Sequence, residues 1–258
     1  MLIIEFEKSF DFFLSRKVSH DRALCPLDRK AGVKDIVESY GVPHTEIGSL
    51  VFNRRPVDFS FVCLTGGILS VGAVQPPFDV CSPSFLRPHP ACAVRFIADV
   101  NVMRLGRLMI LAGFDVCCSS SYEDAQIADI AEQESRIVLT RDTRLLMRKK
   151  ITFARRIRAQ EPYAQLMETL SFFGLKGALS FFTRCTRCNT LLQPVTKAAV
   201  LPLLEPRTRR YYNEFLQCPR CSQVYWPGSH RDHLLEKMRA VGLVTDKVEN
   251  NGIKSDWK

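Results

Sequence analysis

Short apolar runs, each long enough for a single strand, open the chain. Residues 2–6 (LIIEF) alternate weakly, and FFLSRKVS at 12–19 continues a strand pattern. Val33, Ile36, Val37 and Tyr40 then recur at helical spacing, with Gly41 as the stop. IGSLVFNRRPVDF (47–59) and, after the Gly66-Gly67 turn, ILSVGAV (68–74) predict further strands. Residues 75–92 (QPPFDVCSPSFLRPHPAC) carry five prolines and no period, which predicts a linker. From Ala93 the pattern becomes strand and helix in alternation. AVRFIAD is a strand, and 102–112 form an amphipathic helix with Leu105, Leu108, Met109 and Ala112 on one face and Gly113 as its stop. FDVCCSS is the next strand, Asp124 stands where an N-cap opens the following helix, SRIVLT is a third strand, and another helix starts at Thr143. Repeats of this length argue for a parallel sheet flanked by helices.

Strand, strand, helix, strand, strand is the order of a β-grasp domain, here over 1–74. Within it, SYGVPHTEIGSLVFNRRPV (39–57) resembles the ubiquitin-like, sulfur-carrier-like modules. Such carriers end in an exposed Gly-Gly tail, whereas the Gly-Gly pair of this chain is internal. The domain therefore reads as a docking or folding partner without chemistry, and as a surface for a protein partner.

Charge divides the chain unevenly. Residues 1–90 hold ten Lys/Arg and ten Asp/Glu, so the whole formal net charge of +9 falls on 91–258. Its densest part, 141–158, has eight basic residues against the single Asp142. A basic helix there is either a solvated face or a seat for a polyanion, and clustering of one sign points to nucleic acid. No apolar run approaches the ~20 residues that span a bilayer. The N-terminus MLIIEFEKSF carries Glu5, Glu7 and Lys8 and lacks the pattern of a signal peptide, so a cytoplasmic location with no membrane contact is expected. Reducing conditions then favour metal ligation or burial for the ten cysteines.

Asp99 and Asp142 each follow a predicted strand directly, and Asp124 starts the helix between them. In a parallel sheet all three carboxylates meet at one edge. Their mutual repulsion needs a cation, and hard oxygen donors with open water positions suit Mg²⁺ or Mn²⁺, the ions of phosphodiester hydrolysis. Asp124 and Asp142 also suit simple helix caps, and the two roles are compatible. Asp115, at the start of its strand, belongs to the opposite edge and reads as structural.

CTRC (185–188) and CPRC (218–221) are two Cys-x-x-Cys turns separated by 29 residues. Cys185, Cys188, Cys218 and Cys221 together complete a tetrahedral Zn²⁺ site with no open position, so the ion folds the segment and performs no catalysis. The other cysteines lack ligand spacing and read as small apolar residues. Arg184, Arg187, Arg220 and Arg231 surround the turns. Tyr225 and Trp226 either stack on bases or pack the small core; His230 and His233 either serve as proton donors or phosphate contacts, or cap or flank the last helix.

FIADVNVMRLGRLMILAGFDV, DAQIADIAEQESRIVLTRDTRLL, RCTRCNTLL and CPRCSQVYWPGSHRDHL resemble, in order, the motifs of the Mut-seven C-terminal ribonuclease family, a branch of the PIN-like nucleases. The resemblance covers 95 to about 235. It implies a PIN-like domain over 93–180, a zinc ribbon over 181–235 and a tail over 236–258, with Asp99, Asp124 and Asp142 as catalytic, metal-binding acids. Arg104 stands at the position of that family's usual helix Lys. Met103 and Gly106 replace an expected Gly and Ala, and Ile110 an expected Arg. The resulting expectation is a metal-dependent ribonuclease whose RNA contacts come from Arg104, Arg141, Arg144, Arg148, Lys149, Lys150, Arg187, Arg220, Tyr225, Trp226 and His230. The alternatives are an inactive RNA-binding adaptor, and a toxin-like nuclease regulated by its N-terminal domain.

Overall fold

The computed structural model describes residues 1–14, 21–26 and 31–243, with the backbone alone at 229 and 230. The N-terminal domain comprises strands β1 (Leu2–Phe6), β2 (Arg22–Cys25) and β3 (Ala31–Gly32), helix α1 (Val33–Ser39), and strands β4 (Ile47–Phe52), β5 (Arg55–Pro56), β6 (Val62–Cys63) and β7 (Gly67–Ala73). Its main sheet runs β2-β1-β7-β4-β5, with β1 parallel to β7 and the other neighbours antiparallel. Alternate residues Leu2, Ile4 and Phe6 face inward and pack with Val33, Ile36 and Val37 of α1, as the β-grasp order requires. The strand expected at 12–19 is not formed where it can be described: 11–13 are a turn after a short 3-10 helix, and 15–19 lie outside the described residues. The second strand begins at Arg22 instead.

Residues 75–92 form no helix or strand, yet they are packed against both neighbours. Val80, Leu86 and Ala91 are buried. Arg87, 5 % exposed, donates to the carbonyls of Ile47 (2.9 Å), Thr45 (2.9 Å), His44 (3.1 Å) and Thr152 (3.3 Å). Burial holds its guanidinium down at about 10, against the opposing charge of Glu46. The proline-rich segment is thus a strap whose arginine ties the two domains together.

The second domain contains β8 (Phe96–Ala98), α2 (Met103–Leu111), β9 (Val116–Cys118), α3 (Asp124–Glu134), β10 (Ile137–Thr140), α4 (Thr143–Leu146), β11 (Ala154–Arg156) and α5 (Pro162–Phe172). Its four strands are all parallel, in the order β11-β10-β8-β9. Phe96, Ala98, Ile137 and Leu139 pack against α2 and α5, while Ile97 and Val138 pack against α3 and α4. Helices on opposite faces follow from right-handed crossovers, since the chain steps one way from β8 to β9 and the other way to β10 and β11. Gly106 lets α2 lie on the sheet: a Cβ there would stand 2.9 Å from that of Ala98, so the expected Ala has no room. Ile110 is buried in the core against the sheet, where a charge without partners would be costly.

The helix expected from Thr143 is a single turn, α4, so 141–158 is not a basic helix but a cap, one helical turn, a loop and the edge strand β11. The C-terminal part holds β12 (Gln193–Val195), α6 (Lys197–Val200), α7 (Pro206–Tyr211), β13 (Phe215–Gln217), β14 (Val224–Tyr225) and α8 (Ser229–Ala240). β12, β13 and β14 form a small antiparallel sheet over Val200, Leu204, Phe215 and Val224, and Leu235 and Met238 of α8 return to the core of the parallel-sheet domain. Among the described residues no helix is long and apolar enough to cross a membrane.

Candidate nuclease centre and cysteine ribbon

The strand order reverses direction between β8 and β10, and in open parallel sheets ligands bind beyond the carboxyl ends of the strands at such a switch. Asp99 leaves β8 there and Asp142 follows β10. Asp99 is 5 % exposed, and its carboxylate accepts from the backbone N–H of Val100 (2.6 Å), Asn101 Nδ2 (2.5 Å) and the Thr140 hydroxyl (2.6 Å). Of roughly four acceptor sites on a carboxylate, one is left open. Thr140 Oγ1 also accepts from the Asp142 backbone N–H at 2.9 Å, and Asn101 Oδ1 accepts from that of Arg141 at 3.0 Å. One hydrogen-bonded network therefore joins the Asp99 carboxylate to the backbone of Asp142.

Asp142 caps α4, accepting from the Arg144 N–H at 2.8 Å through Oδ1, while its other oxygen has no partner among the described residues. Asp124 is placed differently. The N-cap of α3 is Glu123, which forms a reciprocal capping box with Gln126, and Asp124 is the first helical residue. Its carboxylate lies 3.5 Å from Arg148 Nη2. Among the described residues the three aspartates do not form a group whose oxygens lie within 4.8 Å of one another; the four cysteines alone form such a group.

Asn101 and Thr140 were not singled out from sequence. The signal that could have found them is their position, an amide two residues past the first strand-end Asp and a hydroxyl two residues before the second. Of the basic residues expected to contact RNA, Arg104 projects exposed from the first turn of α2, nearest Asp99, and Arg144 and Lys149 are exposed on α4 and the loop after it. Arg141 reaches Gln160 Oε1 at 3.4 Å. Arg148 is held by Asp124, and Lys150 is paired with Asp129 at 2.6 Å and Glu132 at 3.7 Å.

Cys185, Cys188, Cys218 and Cys221 converge, with Sγ separations of 3.5 Å for Cys185–Cys221 and 3.4 Å for Cys188–Cys218. Four sulfurs at ~2.3 Å from one ion in a tetrahedron would stand about 3.8 Å apart, so the cluster fits a metal with little adjustment. The Thr190 side chain beside Cys188 holds that thiol down at about 6, against burial. Tyr225 is spent on the cluster: its hydroxyl lies 3.2 Å from Cys185 Sγ and accepts from the Thr186 N–H at 3.1 Å. Trp226 is 40 % exposed, and Arg187 and Arg220 project from the two turns. The His230 side chain lies outside what the structure describes.

The ribbon does not adjoin the acids. Arg184 Nε donates to the Gly113 carbonyl (3.1 Å), and Asn189 bonds Asp115 Oδ1 (2.8 Å) and the Val116 N–H (3.3 Å). All three lie at or before the start of β9, so the ribbon sits at the amino edge of the sheet. The nine residues of α2, about 14 Å at ~1.5 Å each, run between that edge and the carboxyl edge. Asp115, structural as expected, also takes Arg136 Nη1 at 2.6 Å. Burial opposes its ionisation, but the hydrogen bond and charge of Arg136, with Asn189 and Arg184, hold its carboxyl below the usual carboxylate range.

Residues 94–238 match the family model described as Mut7-C RNAse domain, and residues 1–79 match the one described as Mut7-C ubiquitin. No curated protein and no solved structure was found to match the chain.

Proposed function

The chain belongs to the Mut7-C RNAse domain family, with a Mut7-C ubiquitin-like domain before it, and from that membership we propose that it hydrolyses RNA phosphodiesters at a Mg²⁺ or Mn²⁺ centre. What supports the proposal is that Asp99 and Asp142 follow adjacent strands at the topological switch of the parallel sheet and are linked through Thr140, which donates to the Asp99 carboxylate and accepts from the Asp142 N–H. Asp99 and Asp142 would hold the ion through the oxygen sites their hydrogen bonds leave open, a donor set of the hard kind these ions take. When bound, the ion would lower the pKa of its water and offset charge on the phosphate. Thr140 and Asn101 keep the Asp99 carboxylate from turning away, Thr140 also fixes the Asp142 backbone, and the Arg144 N–H holds one Asp142 oxygen. Arg104, exposed on the first turn of α2 that follows Asp99, would hold a phosphate of the substrate. The four cysteines would take one structural Zn²⁺, which orders the ribbon.

One observation favours a second reading, an RNA-binding adaptor without cleavage: Asp124 is paired with Arg148 and is not gathered with the other two acids. In the cleaving protein, Asp124 serves the centre after release from Arg148, or acts only at the start of α3. The experiment is cleavage of labelled RNAs with Mn²⁺ by the full chain and by Asp99→Asn and Asp142→Asn. Both variants should bind RNA and fail to cut it; undiminished cleavage by both would refute the metal centre. Wild-type protein that binds without cutting any RNA offered would favour the adaptor.

A further inference from the structure

Beside Asp142 the two domains build a surface that neither has alone. Parallel pairing sets Thr140 opposite Arg156, so the residues leaving β10 (Arg141, Asp142) and β11 (Ile157, Arg158) emerge as neighbours, with strands ~4.8 Å apart. Three guanidinium groups collect there. Arg156 Nε donates to Thr143 Oγ1 at 3.1 Å, Arg141 to Gln160 Oε1 at 3.4 Å, and Arg158 Nη2 to the Ser9 carbonyl of the N-terminal domain at 3.2 Å.

Two of the nearby carboxylates, Glu46 and Glu168, are already committed, and Asp142 acts on Arg156 only from beyond ion-pair distance. Glu46 is taken by Arg155 and by the Arg156 backbone N–H; Glu168 is taken by the backbone N–H groups of Arg158 and Ala159, and lies 3.8 Å from Arg155. Among the described residues none of Arg141, Arg156 and Arg158 has a carboxylate within ion-pair distance. Glu46 and Asp142 offset only part of the mutual repulsion of Arg141, Arg156 and Arg158, and a polyanion relieves the rest.

An aromatic ring completes the surface. The Arg156 guanidinium lies 4.2 Å from the centroid of Phe12, and that of Arg158 lies 5.9 Å from Phe12 and 5.6 Å from Phe13. Phe12 is nevertheless 57 % exposed, whereas Phe10 and Phe13 are buried in the domain's own core. Arginine planes and exposed rings are the stacking surfaces for unpaired bases, and duplex bases offer no free face to them.

We propose that Phe12 of the ubiquitin-like domain, with Arg141, Arg156 and Arg158 of the nuclease domain, forms a composite platform that binds single-stranded RNA next to Asp142. The N-terminal domain then acts as a substrate-binding part. The choice of RNA as the polyanion rests on the nuclease reading above.

The test uses the full chain carrying Asp99→Asn, so that RNA stays intact, and fluorescence anisotropy with labelled single-stranded and duplex RNA over a range of salt. Phe12→Ala should weaken single-strand binding about 5- to 100-fold, with the salt dependence unchanged and duplex binding little affected. Phe12→Tyr, which keeps the ring, should bind within about twofold of the parent. Arg158→Gln should lower the slope of log affinity against log salt by about 0.7. Affinities within about twofold of the parent for both Phe12→Ala and Arg158→Gln would overturn the platform and leave the surface to a protein partner. An equal loss in Phe12→Tyr and Phe12→Ala would overturn the stacking role. Cleavage by the chain with Asp99 intact is scored separately, so a protein that uses the platform but does not cut refutes the nuclease reading alone.

Discussion

Glu46 provides a quantitative check on how the two domains are joined. It is 4 % exposed, and its carboxylate accepts from Arg155 Nη1 at 2.6 Å and from the Arg156 backbone N–H at 2.7 Å, so an acid of one domain is buried against the edge strand of the other. Removing one partner of a buried pair costs about 3–5 kcal/mol, because the other charge stays buried. Here the cost is smaller: Glu168 lies 3.8 Å from Arg155, the Phe172 ring lies 4.0 Å from its guanidinium, and a glutamine at position 46 can still accept from Arg156. We therefore expect Glu46→Gln to destabilise the protein by about 2–3 kcal/mol. Arg155→Met should cost a similar amount, and the double variant should cost less than the two singles added, by roughly 1–3 kcal/mol. Urea unfolding of the four proteins of this cycle, followed by circular dichroism, supplies the numbers. A Glu46→Gln protein within about 0.5 kcal/mol of wild type, or strict additivity in the cycle, would refute the view that this pair clamps the domains.

Two further expectations concern the ribbon. The purified chain should carry one zinc by elemental analysis, and Cys188→Ser should lose most of it and unfold at lower temperature, since an incomplete thiolate set binds the ion weakly. Asp115 has its folded-state pKa depressed, so its contribution to stability is fully present above the unfolded value of about 3.9 and is lost as the pH falls through the lower folded value. The anchoring of the ribbon should thus weaken only below about pH 4, and Asp115→Asn should flatten that acid limb in denaturation measured across pH; an unchanged limb would remove Asp115 as the anchor.

The local features of the fold were legible because they depend on local periodicity. Ile97 and Val138 alternate with Phe96, Ala98, Ile137 and Leu139 by the two-residue period of a strand buried on both faces. Leu105, Leu108 and Met109 follow the helical period on α2. Asp142 as a cap was also visible, since a side chain two residues before its donor needs no distant partner. The assignment of the α3 cap to Asp124 missed by one residue, because Glu123 and Gln126 cap each other and position alone does not separate adjacent acids. The basic stretch at 141–158 misled for a different reason. Its charge was plain in the sequence, but Ile151, Phe153, Ala154 and Ile157 are buried in the sheet domain, and the burial of those side chains ends the helix after one turn.

By itself the sequence determined which residues are candidates for chemistry: four cysteines whose spacing admits one closed metal shell, and aspartates at the ends of strands. Such features belong to a few consecutive residues, and local covalent geometry is enough to specify them. Tertiary structure alone decided what lies beside what. It put the ribbon on the amino edge, away from Asp99 and Asp142, tied Asp124 to Arg148, and brought Phe12 against Arg156. These placements come from strand order and from docking contacts between residues far apart in the chain, such as Glu46 with Arg155 and Arg87 with the carbonyls of 44–47, whose energies are set by burial and are invisible to any local pattern.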